Sequence, residues 1–158
     1  MASRRYRAVV TGATRGIGYA IAERLLKDGI EVIATGTSED VDYPNGASYY
    51  PVDFLDDSRV EAFVEYLKQQ KIDILVNNAG INKIDEFANI DIDDFDRILK
   101  VNLRTPFLLC QAVIPHMKEN SWGRIVNITS IWGNITKKYR ASYSSSKFGL
   151  DGMTAALA

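Results

Sequence analysis

Cysteine and histidine are nearly absent from this chain of 158 residues, with Cys110 and His116 the single copies of each. One thiol cannot close an intrachain disulfide. Cys110 lies in an apolar helical run, where a buried core thiol is expected rather than a nucleophile. One imidazole without Cys or His neighbours makes no transition-metal cluster, so no metal site is expected. The net charge of −1 lacks the basic surplus that binding nucleic acid requires. No apolar run approaches the about 20 residues of a membrane span. Arg4, Arg5 and Arg7 precede an apolar stretch too short for a secretory signal. Repeats, low-complexity tracts and linkers are also missing. A reducing cytoplasm is therefore the expected compartment. With 46% hydrophobic and 25% charged residues, the composition is that of one globular domain with a sizeable core.

Hydrophobic patterning alternates strand and helix. Strands are expected at Arg7–Thr11, Glu31–Gly36, Ala47–Val52, Ile72–Asn77 and Arg124–Ile128. Helices are expected at Gly16–Asp28, Ser58–Gln69, Asp93–Lys118 and Tyr143–Leu157. Alternation of this kind predicts an α/β fold, a doubly wound parallel sheet with helices on both faces and right-handed crossovers. Asp91, Asp93 and Asp94 place negative charge at the start of the long helix, and Asp56 or Asp57 is a candidate cap for the helix that follows it.

Three segments carry chemistry. In the first, a strand from Tyr6 to Val10 runs into Thr11-Gly12-Ala13-Thr14-Arg15-Gly16-Ile17-Gly18 and then into a helix that Gly29 stops. Gly12 permits a tight turn, Gly16 lets a pyrophosphate approach the backbone, and Gly18 allows close packing of helix on strand. The helix N-terminus offers free N–H groups and a positive dipole end to phosphates. In the second, the strand through Ile74 and Val76 ends in Asn77-Asn78-Ala79-Gly80, placing amides and small residues where a doubly wound sheet binds ligands. The third is Tyr143 with Lys147, four residues apart on one helix face. A free tyrosine keeps its proton to about pH 10, and a nearby fixed positive charge favours the phenolate. Such a pair can exchange protons with an alcohol or carbonyl near neutrality.

Together these segments resemble the short-chain dehydrogenase/reductase family, in the Thr-Gly-x-x-x-Gly-x-Gly turn, the Asn-Asn-Ala-Gly step, Asn102, Ser130 and the Tyr-x-x-x-Lys pair. The likeness, which extends to 3-oxoacyl carrier-protein reductases and their relatives, implies a Rossmann-type fold. It implies that residues 1–158 form one dinucleotide-binding domain, the N-terminal two-thirds of a longer one that would add further C-terminal strands and a loop over the substrate. Without those strands, Arg124–Ile128 is an apolar sheet edge.

The resemblance also implies hydride transfer between a nicotinamide cofactor and a ketone or secondary alcohol. In that scheme Tyr143 is the acid or base, Ser130 holds the substrate oxygen, and Lys147 tunes the tyrosine and holds the nicotinamide ribose. Asn102 supports a proton relay. Its carbonyl would lose its helical partner to Pro106, which has no N–H, so a kink and a bound water are expected there. Cofactor contacts are implied for Gly12, Thr14, Arg15, Gly16, Ile17, Gly18, Thr37, Asp53, Asn78, Ala79, Gly80, Tyr143 and Lys147, with Asp53 on the adenine. The second strand ends Ala34-Thr35-Gly36-Thr37-Ser38 with no acid at its tip to take a ribose hydroxyl. Arg15 can reach a 2′-phosphate. NADP(H) is thus expected over NAD(H), with Glu39 and Asp40 working against that choice.

Residues Ile131–Ser142 line the expected substrate side. Trp132 and Tyr139 supply aromatic walls. Lys137, Lys138 and Arg140 supply positive charge suited to an anionic or carrier-bound substrate. A homodimer or homotetramer through the long helices, with Leu103–Met117 as an apolar face, is implied as well. The alternatives are a catalytically incomplete dinucleotide-binding module and a Tyr–Lys epimerase or dehydratase, whose glycine turn usually has another spacing.

Overall fold

The computed structural model describes residues 5–158, so Arg4 of the basic N-terminal group lies outside the described residues. Strands β1 (Arg7–Val10), β2 (Glu31–Gly36), β3 (Ser48–Pro51), β4 (Ile74–Asn77) and β5 (Arg124–Asn127) form one sheet in the order β3-β2-β1-β4-β5. Every pairing is parallel, with Val10 opposite both Ala34 and Val76. Parallel strands need crossovers, which helices α1 (Gly16–Lys27), α2 (Asp57–Gln69) and α4 (Thr105–Glu119) supply.

Successive strand residues face opposite sides of a sheet, and β1 shows the consequence. Val9 joins Leu75, Phe63, Leu109 and Val113 in one buried cluster beneath α2 and α4. Val10 joins Ala22, Ala34 and Val76 in a second beneath α1. The expected doubly wound sheet with helices on both faces is what forms. Its order turns back between β1 and β4, opening a crevice at their carboxyl ends.

One expected element divides. The sequence predicts an unbroken helix over Asp93–Lys118, whereas the structure has α3 (Ile92–Leu99), a π-helical turn (Lys100–Arg104) and then α4. Proline is the physical cause, because Pro106 has no N–H to give the carbonyl of Asn102. The ladder slips by one residue, and the Thr105 N–H pairs with the Lys100 carbonyl. The Thr105 hydroxyl donates to the same oxygen at 2.9 Å. A π-bulge of this kind pushes a side chain off the regular helical face, and here that side chain is Asn102.

Helix ends obey local chemistry. Asp56, rather than Asp57, caps α2 by accepting from the backbone N–H groups of Ser58 and Arg59. Asp57 instead pairs with Lys100 and Arg104 at 2.8 Å each, tying α2 to the π turn. Asp91 caps α3. Strand β5 is the sheet edge among the described residues, with Val126 44% exposed. The last helix, α5 (Ala141–Leu157), carries Tyr143 and Lys147 and begins two residues earlier than the pattern predicts.

Candidate active site

The glycine turn and the end of β4 are latched to each other. Thr11 Oγ1 accepts from the backbone N–H of Asn78 at 2.9 Å and of Ala79 at 3.0 Å. Asn78 Nδ2 donates back to the carbonyls of Thr11 at 2.9 Å and Gly12 at 3.1 Å. The Asn78 amide donors thus hold the turn instead of pointing outward. Asn77 is buried, with Nδ2 donating to Asn127 Oδ1 at 2.8 Å. Thr11 was not among the site residues read from the sequence. In the sequence it opens the Thr-Gly-x-x-x-Gly-x-Gly turn at the end of an apolar strand, which names no partner for its hydroxyl.

Each glycine of the turn has its own reason. Gly12 has φ +64°, and a Cβ there would lie 3.0 Å from Ala79 Cα. Gly16 has φ +57° with nothing within 4 Å of a Cβ, so only its backbone angle demands glycine. A Cβ at Gly18 would fall 2.4 Å from both Asn78 Nδ2 and the Gly12 carbonyl oxygen. Helix α1 then starts at Gly16 with no side-chain cap and no acid in its first turn. Its leading N–H groups are left for another acceptor, and its dipole is uncompensated. Ile17, apolar yet 64% exposed, sits at this helix end. An anion over the turn with a flat apolar group beside it satisfies both features, so these residues fit a dinucleotide.

Thr14 packs against β2 because Gly36 has no Cβ; one there would meet Thr14 Cγ2 at 2.4 Å. Arg15, Thr37, Glu39 and Asp40 are all exposed around the tip of β2. Asp53 accepts from the Leu55 N–H at 2.9 Å and so also holds its own turn.

Beyond β4, an open cleft of about 450 Å³ is lined by Ile17, Asn78, Gly80, Ile81, Asn82, Ile128, Thr129, Ser130, Trp132, Arg140, Tyr143 and Lys147. It brings together three of the four predicted catalytic residues. The fourth, Asn102, lies behind it and is fully buried. Asn102 Oδ1 accepts from the Ile81 N–H at 2.8 Å, while Nδ2 donates to the Ile81 carbonyl at 2.9 Å and to Ser146 Oγ at 3.0 Å. The bulged residue therefore clamps the loop after β4 to α5, one residue from Lys147.

Lys147 is only 4% exposed and donates from Nζ to the Ile128 carbonyl at 2.8 Å. Nζ stands 5.6 Å from the centre of the Tyr143 ring. Burial lowers the ammonium pKa from its ordinary value, and the negative charge of Asp151 opposes that shift. Asp151 Oδ2 is buried against Gly133, where a Cβ would come within 2.5 Å of it. The Tyr143 hydroxyl takes no partner among the described residues. Ser130 caps a short 3₁₀ turn (Ile131–Gly133), accepting from the Trp132 N–H at 3.2 Å. A serine hydroxyl also carries one donor hydrogen, and that of Ser130 has no acceptor among the described residues. Two hydroxyls and a buried cation thus face one cleft. A larger cavity of about 840 Å³ lies beside β5 and the end of α5, and it holds no comparable acid–base group.

Turn, latch and Tyr–Lys cleft belong to one family. The model of the short chain dehydrogenase family matches residues 6–158, and this chain is a member of that family. Among its relatives, a 3-oxoacyl-(acyl-carrier-protein) reductase FabG of Aquifex aeolicus is 41% identical over 163 residues, covering 96% of this chain and 66% of that protein. A D-beta-hydroxybutyrate dehydrogenase of Rhizobium meliloti is 33% identical over 164 residues, covering 96% of this chain and 64% of that protein. A metagenomic short-chain oxidoreductase in complex with NADP superposes with a TM-score of 0.87 at 31% identity, covering 97% of this chain and 74% of that one. The chain therefore spans just under two thirds of the length of the two curated relatives.

Proposed function

We propose that the protein reduces a ketone to a secondary alcohol, and reverses that step, with a nicotinamide dinucleotide as hydride carrier. The observation that carries this reading is the cleft in which Ser130, Tyr143 and Lys147 meet beside the uncapped N-terminus of α1. The cofactor supplies the hydride when bound. Gly12, Gly16, Gly18 and the free N–H groups of α1 cradle its phosphates. Ile17, Asn78, Ala79 and Gly80 line its nicotinamide end, with Thr14, Thr37 and Asp53 towards the adenosine. Ser130 donates its free hydrogen to the substrate oxygen. Tyr143 gives its proton to that oxygen as the alcohol forms and takes one back in oxidation. Lys147, with Nζ 5.6 Å from the centre of the Tyr143 ring, holds ribose hydroxyls. Asn102 keeps Lys147 and the Gly80 backbone in register, and its main-chain carbonyl supports the water that returns the proton from solvent.

The substrate is a 3-oxoacyl compound, in keeping with the names of the relatives above. NADP(H) is preferred over NAD(H), because no acid stands at the tip of β2 and exposed Arg15 is free to meet a 2′-phosphate. The working unit is a cytoplasmic homodimer or homotetramer, for which exposed Phe107 on α4 and Phe148 on α5 are candidate contacts. No helix of the described residues is long and apolar enough to cross a membrane.

The test follows NADPH and NADH oxidation by the native protein on a panel of ketones and 3-oxo thioesters, with Arg15→Ala alongside. The expected result is turnover with NADPH favoured, and that preference reduced about tenfold in the variant, the value of one charge-assisted contact. NADH favoured in both proteins would refute the cofactor assignment. No oxidation on any substrate would refute the activity.

A further inference from the structure

The connection from β2 to β3 is unlike the other crossovers. Residues 37–47 carry no helix, where a parallel crossover usually has one. Tyr49, in β3, holds this segment at two points. Its hydroxyl donates to the Ser38 carbonyl at 2.6 Å, just past the tip of β2. Its ring stacks on that of Tyr43, with centres 4.8 Å apart and planes at 11°. Partial burial and the neighbouring Tyr43 raise the Tyr49 phenol above its ordinary value, so it remains a donor through the neutral range. The hydroxyl also adjoins the glycine turn. A Cβ on Gly36 would lie 2.7 Å from the Tyr49 hydroxyl oxygen and 2.4 Å from Thr14 Cγ2. Glycine turn, β2 tip and β3 thus meet at one point. Exposed Arg15 and Thr37 follow Thr14 and Gly36 directly in the chain.

What stands at this tip decides between the two nicotinamide cofactors, which differ there by a hydroxyl against a phosphate. An acceptor suits the ribose 2′-hydroxyl, as an acidic side chain does. The Thr37 and Ser38 hydroxyls donate as well as accept and serve either group, whereas a carbonyl only accepts. A carbonyl facing the ribose would therefore favour the hydroxyl and repel a phosphate. The Tyr49 hydroxyl takes the Ser38 carbonyl and fixes its direction. In a trans peptide the next N–H points the opposite way, so the Glu39 N–H is turned away from the ring. We infer that Tyr49 is a positioning residue for cofactor selection: it withdraws the Ser38 carbonyl from the ribose and so tilts the site toward the 2′-phosphate. The inference rests on the NADP(H) reading above and adds to it a residue that acts through the tip of β2.

The test is calorimetric binding of 2′,5′-ADP and 5′-AMP to the native protein, which reads the 2′ position without nicotinamide or turnover. Wild type should bind 2′,5′-ADP at least about tenfold more tightly, the value of a charge-assisted contact. Tyr49→Phe keeps the ring and its stack on Tyr43 and removes only the hydroxyl. It should cut that preference about fivefold, the value of one neutral hydrogen bond, by weakening 2′,5′-ADP while 5′-AMP binds as well or better. Tyr43→Ala, which removes the stack and keeps the pin, should leave the preference within about twofold of wild type. A preference unchanged in Tyr49→Phe would overturn the inference, whichever ligand wild type favours. A loss in Tyr49→Phe that falls alike on both ligands would overturn it too, as would an equal fall of the preference in Tyr43→Ala. Either result with wild type favouring 2′,5′-ADP leaves the NADP(H) reading standing. A wild type that favours 5′-AMP, with Tyr49→Phe favouring it still more, would retire NADP(H) and keep the pin.

Discussion

Replacing Asn102 with alanine removes three hydrogen bonds, those to the N–H and carbonyl of Ile81 and to Ser146 Oγ. The site is fully buried, so no water stands ready to replace them. At about 1 kcal/mol net for each bond, the loss comes to about 3 kcal/mol. Unfolding entropy for a chain of this length is about 0.33 kcal/mol/K, so the melting temperature should fall by about 9 °C. Ser146→Ala deletes one of these bonds together with the hydroxyl's own bond to the Tyr143 carbonyl at 2.7 Å, and should cost about 2 kcal/mol, or about 6 °C on the same scale. The loss should also be local. The Ile81 amide, freed from Asn102 Oδ1, should exchange its hydrogen faster than neighbouring amides of the sheet. Thermal melts of the three proteins and hydrogen exchange resolved at Ile81 make the assay. An Asn102→Ala loss below about 1 kcal/mol, with Ile81 protection unchanged, would refute the clamp.

The glycines of the turn should rank by cause. Gly18→Ala drives a Cβ to 2.4 Å from a backbone oxygen and from Asn78 Nδ2, so it should cost most, about 3 kcal/mol as overpacking. Gly12→Ala meets both a positive φ and Ala79, and Gly16→Ala meets the angle alone; the last should cost about 1 kcal/mol in stability. Denaturant titration of the three variants checks the order, and Gly16→Ala as the most damaging would contradict it. Burial raises the Cys110 thiol from 9.0 to about 11. A raised folded-state value means a contribution present in full below pH 9 and lost as pH climbs through about 11. Its size is about 2–3 kcal/mol. Cys110→Ala should therefore lose less stability than wild type between those limits, and parallel pH curves would count against it. Buried Lys147 runs the opposite way, its lowered pKa making the charged form a burden that eases as pH rises, so the difference between the two curves isolates Cys110.

What the sequence made legible was what repeats or has a fixed local meaning. Strand cores such as Ile33 and Val76 are read from their neighbours, and the glycines of the turn are read from backbone demands that no other residue meets. Tyr143 and Lys147 fall on one face through the helical period alone. The division of the long helix was legible only in part. Pro106 marks the spot, but a kink and a slipped π turn follow equally well from one missing N–H. Which groups an amide faces depends on elements far apart in the chain. Asn78 donates to carbonyls 67 and 66 residues away, and Asn102 reaches Ser146 across 44. The latch made by Thr11 escaped for the same reason, since its partners Asn78 and Ala79 lie 67 and 68 residues away. The Ser130 oxygen caps a turn, a contact its position after a strand does not announce, while its hydrogen has no acceptor among the described residues.

The account stands on Tyr143 as the proton donor, and Tyr143→Phe tests it most directly. The phenol hydrogen is removed while the ring beside Lys147 stays. NADPH oxidation on acetoacetate or its methyl ester, with NADPH affinity measured in parallel, should show kcat reduced at least about a hundredfold, the lower bound for a positioned acid, and cofactor affinity nearly unchanged. A phenylalanine variant that turns over at the wild-type rate would contradict it.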